Sequence, residues 1–244
     1  MQLIAAIGRL RRDTKAVALT EFALSLPLVL TASLYGLEAV NLAVTTMKLN
    51  QAAVRIADDA SRIGESSVLD TRKIYEHDIV DLLIGADLQF GEGLDLYGHG
   101  RVILSSQEID PDDGTETQQY IHWQRCMGMR NATSAYGDAG TGKGDPSFKG
   151  MGPVGEEVKA LPEDAVMFVE IFYDYQPLVT DAFVTTTELR THASFTVRSM
   201  RDLSQIYQRD PANPSAVAAC DKFERFRTDT VKGSNAGSWD WENW

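Results

Sequence analysis

Apolar residues are concentrated in one uninterrupted stretch near the amino terminus. In Phe22–Leu37 the only ionisable group is the phenol of Tyr35. A helix over this stretch covers about 24 Å at 1.5 Å per residue, slightly less than a hydrocarbon core of about 30 Å. Extending the helix past Glu38 to Val44 provides enough length. The pattern therefore predicts one membrane span at about 22–44.

The charge on either side of this stretch predicts its orientation. The first fifteen residues contain four basic residues against a single acid, Asp13. Positive residues stay on the cytoplasmic side of a span, so the amino terminus is expected in the cytoplasm and the rest of the chain outside. The basic residues are Arg9, Arg11, Arg12 and Lys15.

A cleaved secretory signal is the alternative interpretation of the same stretch. Such a signal needs a small-residue cleavage site directly after a short apolar core. Ala32 and Ser33 are small, but the apolar run continues beyond them through Leu34 and Leu37. The continuation favours an uncleaved span.

Helical spacing continues after the span. Residues 38–63 contain no Pro or Gly, and Gly64 is a plausible stop. The pattern predicts a helix over 17–63, interrupted only locally at Pro27. Its second half carries an apolar stripe that must be covered by the following domain or by a partner subunit. The stripe is predicted from Met47, Val54, Ile56, Ala57, Ala60 and Ile63.

The following region, 64–226, predicts an external α+β domain. A helix is expected over 71–84, with Gly85 as its stop. Strands are expected at 101–109 and 120–125, joined by an Asp- and Gly-rich turn at 110–114.

Two further strands complete the predicted domain. In 166–175, Met167 and alternate residues face one way while Glu170 and Asp174 face the other, which is typical of a half-buried strand. A fourth strand is expected around 193–197. The expected fold class is α+β: a long N-terminal helix with a membrane-spanning first half, then an antiparallel sheet packed on helices. The long Gly-containing stretch 128–164 is expected to be a surface loop.

Composition excludes some functions. Among 244 residues, 35 Asp and Glu against 23 Lys and Arg give a net charge of −12. A nucleic-acid partner is therefore not expected, because phosphate binding needs a basic face.

The only two cysteines, Cys126 and Cys220, both fall in the predicted external domain. An oxidising compartment favours a disulfide between them, and two free thiols are the alternative.

Three patterns that suggest site chemistry are incomplete. The stretch 137–143 matches much of a phosphate-binding loop, but Gly144 stands where Ser or Thr is needed. The acidic cluster in 110–116 lacks the spacing of a calcium loop and is typical of a turn. The histidines are scattered. We therefore predict no catalytic residue, no metal and no cofactor. The four histidines are His77, His99, His122 and His192.

The carboxyl-terminal tail, 227–244, combines acids with aromatic rings. Trp239, Trp241 and Trp244 lie within its last six residues. Exposed tryptophans often mark a contact with a partner, and the alternative is packing on the parent domain.

The segment Ala16–Pro27, AVALTEFALSLP, resembles the start of TadE-like minor pilins, the pseudopilins of the tight-adherence (Flp) branch of type IV pilus systems. Members of that family show a basic leader, a Gly, four small or apolar residues, then Glu-Phe-Ala-Leu and a Pro. Here Ala16 stands where Gly is usual. The resemblance implies that 1–16 is a leader, that a prepilin peptidase cuts between Ala16 and Val17, and that Glu21 and Phe22 serve subunit assembly.

The resemblance also implies partners and a location. Expected partners are other pilins, pilus platform proteins and the inner membrane, with the external domain in the periplasm or in a surface pilus. The predicted function is therefore a minor pilin that takes part in pilus assembly or in the structure of the tip or base. An alternative is a signal-anchored periplasmic binding protein or enzyme. Glu21 is expected to pair with the new amine of a neighbouring subunit, or else to be an interfacial acid exposed to water.

Overall fold

The structure, a computed structural model, describes residues 14–64, 71–90, 93–184 and 187–225. The chain forms two compact units. The helix unit comprises the chain up to Val44 together with 176–187, and the sheet unit comprises 45–175 and 188 onward.

The first element is one long helix, as the sequence predicts. Helix α1 spans Thr14–Ala60, 47 residues, and continues through Pro27. The predicted local interruption at Pro27 is wrong at the level of secondary structure. The helix ends three residues before the predicted end. There the buried guanidinium of Arg201 donates to the carbonyl oxygens of Ala60 and Ile63, at 3.1 and 2.8 Å. A cation at this end also complements the helix dipole.

The sheet-unit part of α1 packs inside that unit, which confirms the expectation of intramolecular cover. The predicted stripe is partly wrong, because Met47 and Val54 are 53% and 48% exposed. Small side chains on the neighbouring face approach the core instead, which allows close packing of a helix on a sheet. The buried residues of this face are Leu49, Ala52, Ala53, Ile56, Ala57 and Ala60.

The second helix lies later in the chain than predicted. Helix α2 spans Glu76–Phe90, and Gly85 lies inside it instead of ending it. The five residues assigned to its predicted start pair with another segment: Arg72 bridges Arg201 and Tyr75 bridges Tyr207, both in parallel. These backbone hydrogen bonds compete with helix formation and delay the start. A short helix, α3 (Leu96–His99), leads into the sheet.

The predicted antiparallel sheet and the α+β fold class are confirmed. The sheet has four strands in the order β2-β1-β3-β4, and every neighbouring pair is antiparallel. A 3₁₀ helix, Asp181–Phe183, lies between the last two strands. The strands are β1 (Gly100–Ile109), β2 (Gln119–Met127), β3 (Val166–Asp174) and β4 (Glu188–Thr196).

Both faces of the sheet are covered at β1, β2 and β3, whereas β4 is partly exposed; this differs from the half-buried strand predicted at 166–175. All residues of β3 except Asp174 are buried. One face packs against α1 and α2, while the other is covered by residues from 128–164, the predicted surface loop. Met151 from this loop is fully buried against Ile121 and Phe168. We call 128–164 the cover loop.

Buried polar side chains hold the cover loop to the sheet. Gln107 donates to the carbonyl oxygen of Val158 at 2.7 Å and accepts from the amide of Met151 at 2.6 Å. Glu170 accepts from the Ser134 hydroxyl at 2.5 Å and the Ala135 amide at 2.9 Å, although burial raises the pKa of its carboxyl. Gln107 and Glu170, both buried by the sheet, therefore find partners in the loop backbone or side chains.

Candidate functional site

The helix unit contains the strongest functional feature, a helix with an exposed apolar surface. Within the described residues, one helix is long and apolar enough to cross a membrane, and none of its apolar window is buried in the protein. Leu24 and Leu28, for example, are 75% and 73% exposed. A core helix of a soluble protein would be buried. This helix is therefore compatible with a membrane anchor or a signal sequence.

The predicted processing and assembly residues all lie near the start of α1. Ala16 and Val17 are in its first turns, and Val17, Glu21 and Phe22 are exposed. Glu21 is one turn from Val17, and in the described part of the chain no group forms a hydrogen bond or ion pair with its carboxylate. The leader residues before Thr14 lie outside the described residues.

A second glutamate in α1, Glu38, has a role that the sequence did not reveal. Its carboxylate accepts from the amides of Leu178 and Val179, at 3.3 and 2.7 Å, so it holds the segment 176–187. The residue is only 1% exposed, although Leu37 and Val40 beside it are exposed. Periodicity marks Glu38 only as the end of the apolar stretch, because the contact is made by residues 140 positions later.

The sheet unit contains the predicted disulfide, which is confirmed between Cys126 and Cys220, with Cα atoms 4.8 Å apart. Cys126 is buried on the edge strand β2, while Cys220 is only partly buried. The amides of Cys126 and Gly128 donate to the carbonyl oxygens of Ala218 and Glu224, so the carboxyl-terminal segment runs along the outer edge of β2.

Arg101 also binds the carboxyl-terminal segment, through hydrogen bonds to its backbone. Its fully buried guanidinium donates to the carbonyl oxygens of Gly128, Lys222 and Cys220, at 3.1, 3.0 and 2.6 Å. Desolvation lowers the pKa of this arginine, and the three carbonyls and the ring of Phe223 offset part of that cost. The disulfide and Arg101 form one clamp, which we call the C-terminal clamp.

A cleft of about 880 Å³ in the sheet unit brings together a histidine and a glutamate. His122 lies 2.9 Å from the buried carboxylate of Glu108, which also accepts from the Ser106 hydroxyl at 2.6 Å. The strand register pairs Ser106 with Trp123 and Gln107 with Ile121, which leaves His122 as the extra residue of a β-bulge. Bulges re-aim side chains, and this one turns His122 toward Glu108.

The acidic residues around this cleft mainly stabilise the turn between β1 and β2. Asp113 accepts from the amides of Thr117 and Gln118, at 2.9 and 2.8 Å, and these bonds hold the pKa of its carboxyl well below its usual range. Asp110 accepts from the amides of Asp112 and Gly144. Turn chemistry thus accounts for these carboxylates. Among the described residues, no group of three or more His, Cys, Asp or Glu side chains is arranged to hold a metal ion.

The phosphate-loop-like stretch has a structural role instead. The amide of Gly140 donates to the carbonyl oxygen of Ile121, and the amide of Ile121 donates to that of Thr141, so the stretch covers the outer edge of β2. A Cβ at Gly142 would lie 2.4 Å from Phe148 and 2.5 Å from the Gln119 carbonyl. Glycine is needed there for close packing, and these backbone groups do not form a cradle for phosphate.

The remaining candidates do not converge on a site. His192 stacks on Phe168, with 5.6 Å between ring centroids, and His77 lies beside Asp78. The tail residues Trp239, Trp241 and Trp244 lie outside the described residues, so their predicted contact with a partner stays a prediction.

Comparisons of the chain with protein-family models, curated proteins and solved structures find no match. The resemblance to TadE-like pilins therefore stays a prediction from the residues 16–27.

Proposed function

We propose that this protein is a minor pilin or pseudopilin that takes part in the assembly, or in the tip or base structure, of a tight-adherence pilus. The observation that carries the proposal is the exposed apolar helix α1 with Glu21 near its start, preceded by a basic leader. In this proposal 1–16 is removed by a prepilin peptidase. Residues 22–44 span the inner membrane with the amino terminus in the cytoplasm.

The proposal assigns Glu21 an electrostatic role between subunits. Cleavage before Val17 creates a positively charged amine one turn from the carboxylate. Both groups lie at the lipid boundary, where unpaired charges carry a desolvation cost. Pairing the glutamate of one subunit with the amine of its neighbour relieves both costs and sets the axial register.

The disulfide supports the assignment of the sheet unit to the periplasm. Structural disulfides form and persist in oxidising compartments and are rare in the cytosol. The Cys126–Cys220 bond therefore fits a chain whose basic leader stays in the cytoplasm and whose later residues are exported.

A second candidate is an external binding protein or enzyme that a membrane helix tethers. The specific observation that favours it is the cleft with the Glu108–His122 pair, because a carboxylate that orients an imidazole recurs in general acid–base sites. No further catalytic group accompanies this pair in the described lining of the cleft. The Ser204 hydroxyl on the rim donates a hydrogen bond to the Asp202 carboxylate at 2.6 Å, so it is not activated as a nucleophile. We therefore rank this candidate second.

Deletion of the protein from its host tests the first proposal against the second. We expect few or no pili on the surface of the deletion strain, counted by electron microscopy, and recovery when the wild-type chain is supplied. A His122→Gln variant is the matched control, and it should also restore pili because the cleft takes no part in assembly. Normal pilus numbers in the deletion strain would contradict the proposal.

A further inference from the structure

The segment 176–187, between β3 and β4, has an apolar composition for an exposed connection. It contains one charged residue, Asp181, and five apolar residues after Pro177. Leu178 is 63% exposed, and Val179 and Val184 are partly exposed. The apolar residues are Leu178, Val179, Ala182, Phe183 and Val184.

Local hydrogen bonds give this segment a defined shape. The Thr180 hydroxyl accepts from the amide of Ala182 at 3.2 Å and caps the 3₁₀ helix Asp181–Phe183. The amide of Val184 then donates to the carbonyl oxygen of Asp181 at 3.0 Å. The backbone of 180–184 is therefore an ordered turn, and Leu178 and Val179 lie directly before it.

Glu38 fixes the level of the segment along α1. Its buried carboxylate accepts two adjacent backbone amides, and hydrogen bonds to a charged acceptor are about twice as strong as neutral ones. A carboxylate without such partners would be costly at the edge of a bilayer. Glu38 is thus a positioning residue for 176–187.

The position of Glu38 along α1 coincides with the end of the apolar stretch. Glu38 directly follows the uncharged run Phe22–Leu37. This run covers about 24 Å of a hydrocarbon core of about 30 Å. With a span of 22–44, Glu38 and the residues it holds lie in the outer part of the core, about 9 Å from the end of the span and so near the headgroups. The exposed ring of Tyr35 lies one turn earlier, where interfacial aromatic residues are common.

We propose that residues 176–184 lie in the lipid–water interface of the bilayer that α1 crosses, with the Leu178 side chain directed into the outer acyl region. The partner is the lipid surface itself, and the contact extends the short apolar span on its outer side. This inference rests on the proposed membrane anchor. It assigns a second lipid contact, far from α1 in sequence, that an anchor alone does not require.

Site-directed spin labelling of the full chain tests the proposal. Because both native cysteines are bonded to each other, a Leu178→Cys variant offers a single free thiol. The labelled protein is placed in vesicles of phosphatidylethanolamine and phosphatidylglycerol, and its accessibility to oxygen and to a water-soluble nickel chelate is compared. Leu28→Cys, inside the span and 73% exposed, is the lipid reference. Val154→Cys is the water reference, since Val154 is an apolar residue of the sheet unit that is 99% exposed.

We expect the ratio of oxygen to nickel accessibility at position 178 to lie between the two references. Adding Glu38→Ala should shift the ratio at position 178 toward the ratio at position 154, because the amides of Leu178 and Val179 lose their acceptor. The ratio at position 28 should stay unchanged. If the ratio at position 178 equals the ratio at position 154 while position 28 remains in lipid, the proposed interfacial contact is overturned and the membrane anchor is retained. If the ratio at position 28 also equals the ratio at position 154, the interfacial contact and the membrane anchor are both overturned. An unchanged ratio at 178 in the Glu38→Ala background overturns the positioning role of Glu38.

Discussion

Replacing Cys126 and Cys220 together by alanine is expected to lower the free energy of unfolding of the sheet unit by about 2–5 kcal/mol. The bond joins residues 94 positions apart, and in the chain-entropy model a loop of that length corresponds to about 4–5 kcal/mol. Most of this effect arises in the unfolded chain, so the native arrangement should be retained. Arg101 of the C-terminal clamp and the two backbone hydrogen bonds to β2 continue to hold the carboxyl-terminal segment.

Pulse proteolysis of the full chain in detergent, over a series of urea concentrations, measures this loss. With a typical urea dependence of about 2 kcal/mol per M, the midpoint should fall by about 1–2.5 M. Wild-type protein treated with a reducing agent should show the same shift. Wild-type and variant midpoints that coincide would contradict the account, and cleavage at 218–224 in the absence of urea would show that Arg101 does not hold the segment.

Glu21→Gln is expected to abolish most incorporation into pilus assemblies while leaving the fold and membrane insertion intact. A neutral amide is easier to insert than a carboxylate, so insertion should not suffer. Losing one partner of a desolvated ion pair costs about 3–5 kcal/mol, reduced here by access to headgroup water. Even 1.4 kcal/mol corresponds to a tenfold change in association.

Co-purification of tagged variants with pilus platform proteins, in a strain lacking the native copy, measures this effect. Glu21→Asp is the matched control, because it keeps the charge and should retain more assembly than Glu21→Gln. Wild-type levels of co-purified partners and surface pili with Glu21→Gln would leave Glu21 as an ordinary interfacial acid.

The sequence predicted the elements that depend on local patterns. The uncharged run and the continuing periodicity predicted α1 to within three residues at each end. The turn residues at 110–114 predicted the β1–β2 hairpin, and the disulfide followed from the presence of only two cysteines in a region predicted to be external.

The sequence could not predict which polar residues are buried. Glu170 alternates with apolar residues along β3, and Gln107 lies in the polar run 105–108 of β1; both patterns are typical of solvent-facing positions. In the structure they face the cover loop and bond to its backbone. Periodicity reports the chemical type of a side chain, whereas burial here depends on a loop that lacks a pattern of its own.

Non-local contacts account for the other differences. The bridges of Arg72 and Tyr75 to residues 201 and 207 delay the start of α2. Glu38 meets the amides of 178 and 179, and the bulge at His122 depends on strand register. None of these contacts leaves a signal within the local window that a helix or strand pattern uses.

The native amino terminus of the protein tests the central claim most directly. Mass spectrometry of the chain isolated from host membranes should find Val17 as the first residue, and a strain without prepilin peptidase should yield the uncut leader. A chain that begins at Met1 in cells with active peptidase, or one cut after Ala32 or Ser33, would contradict the assignment as a processed minor pilin.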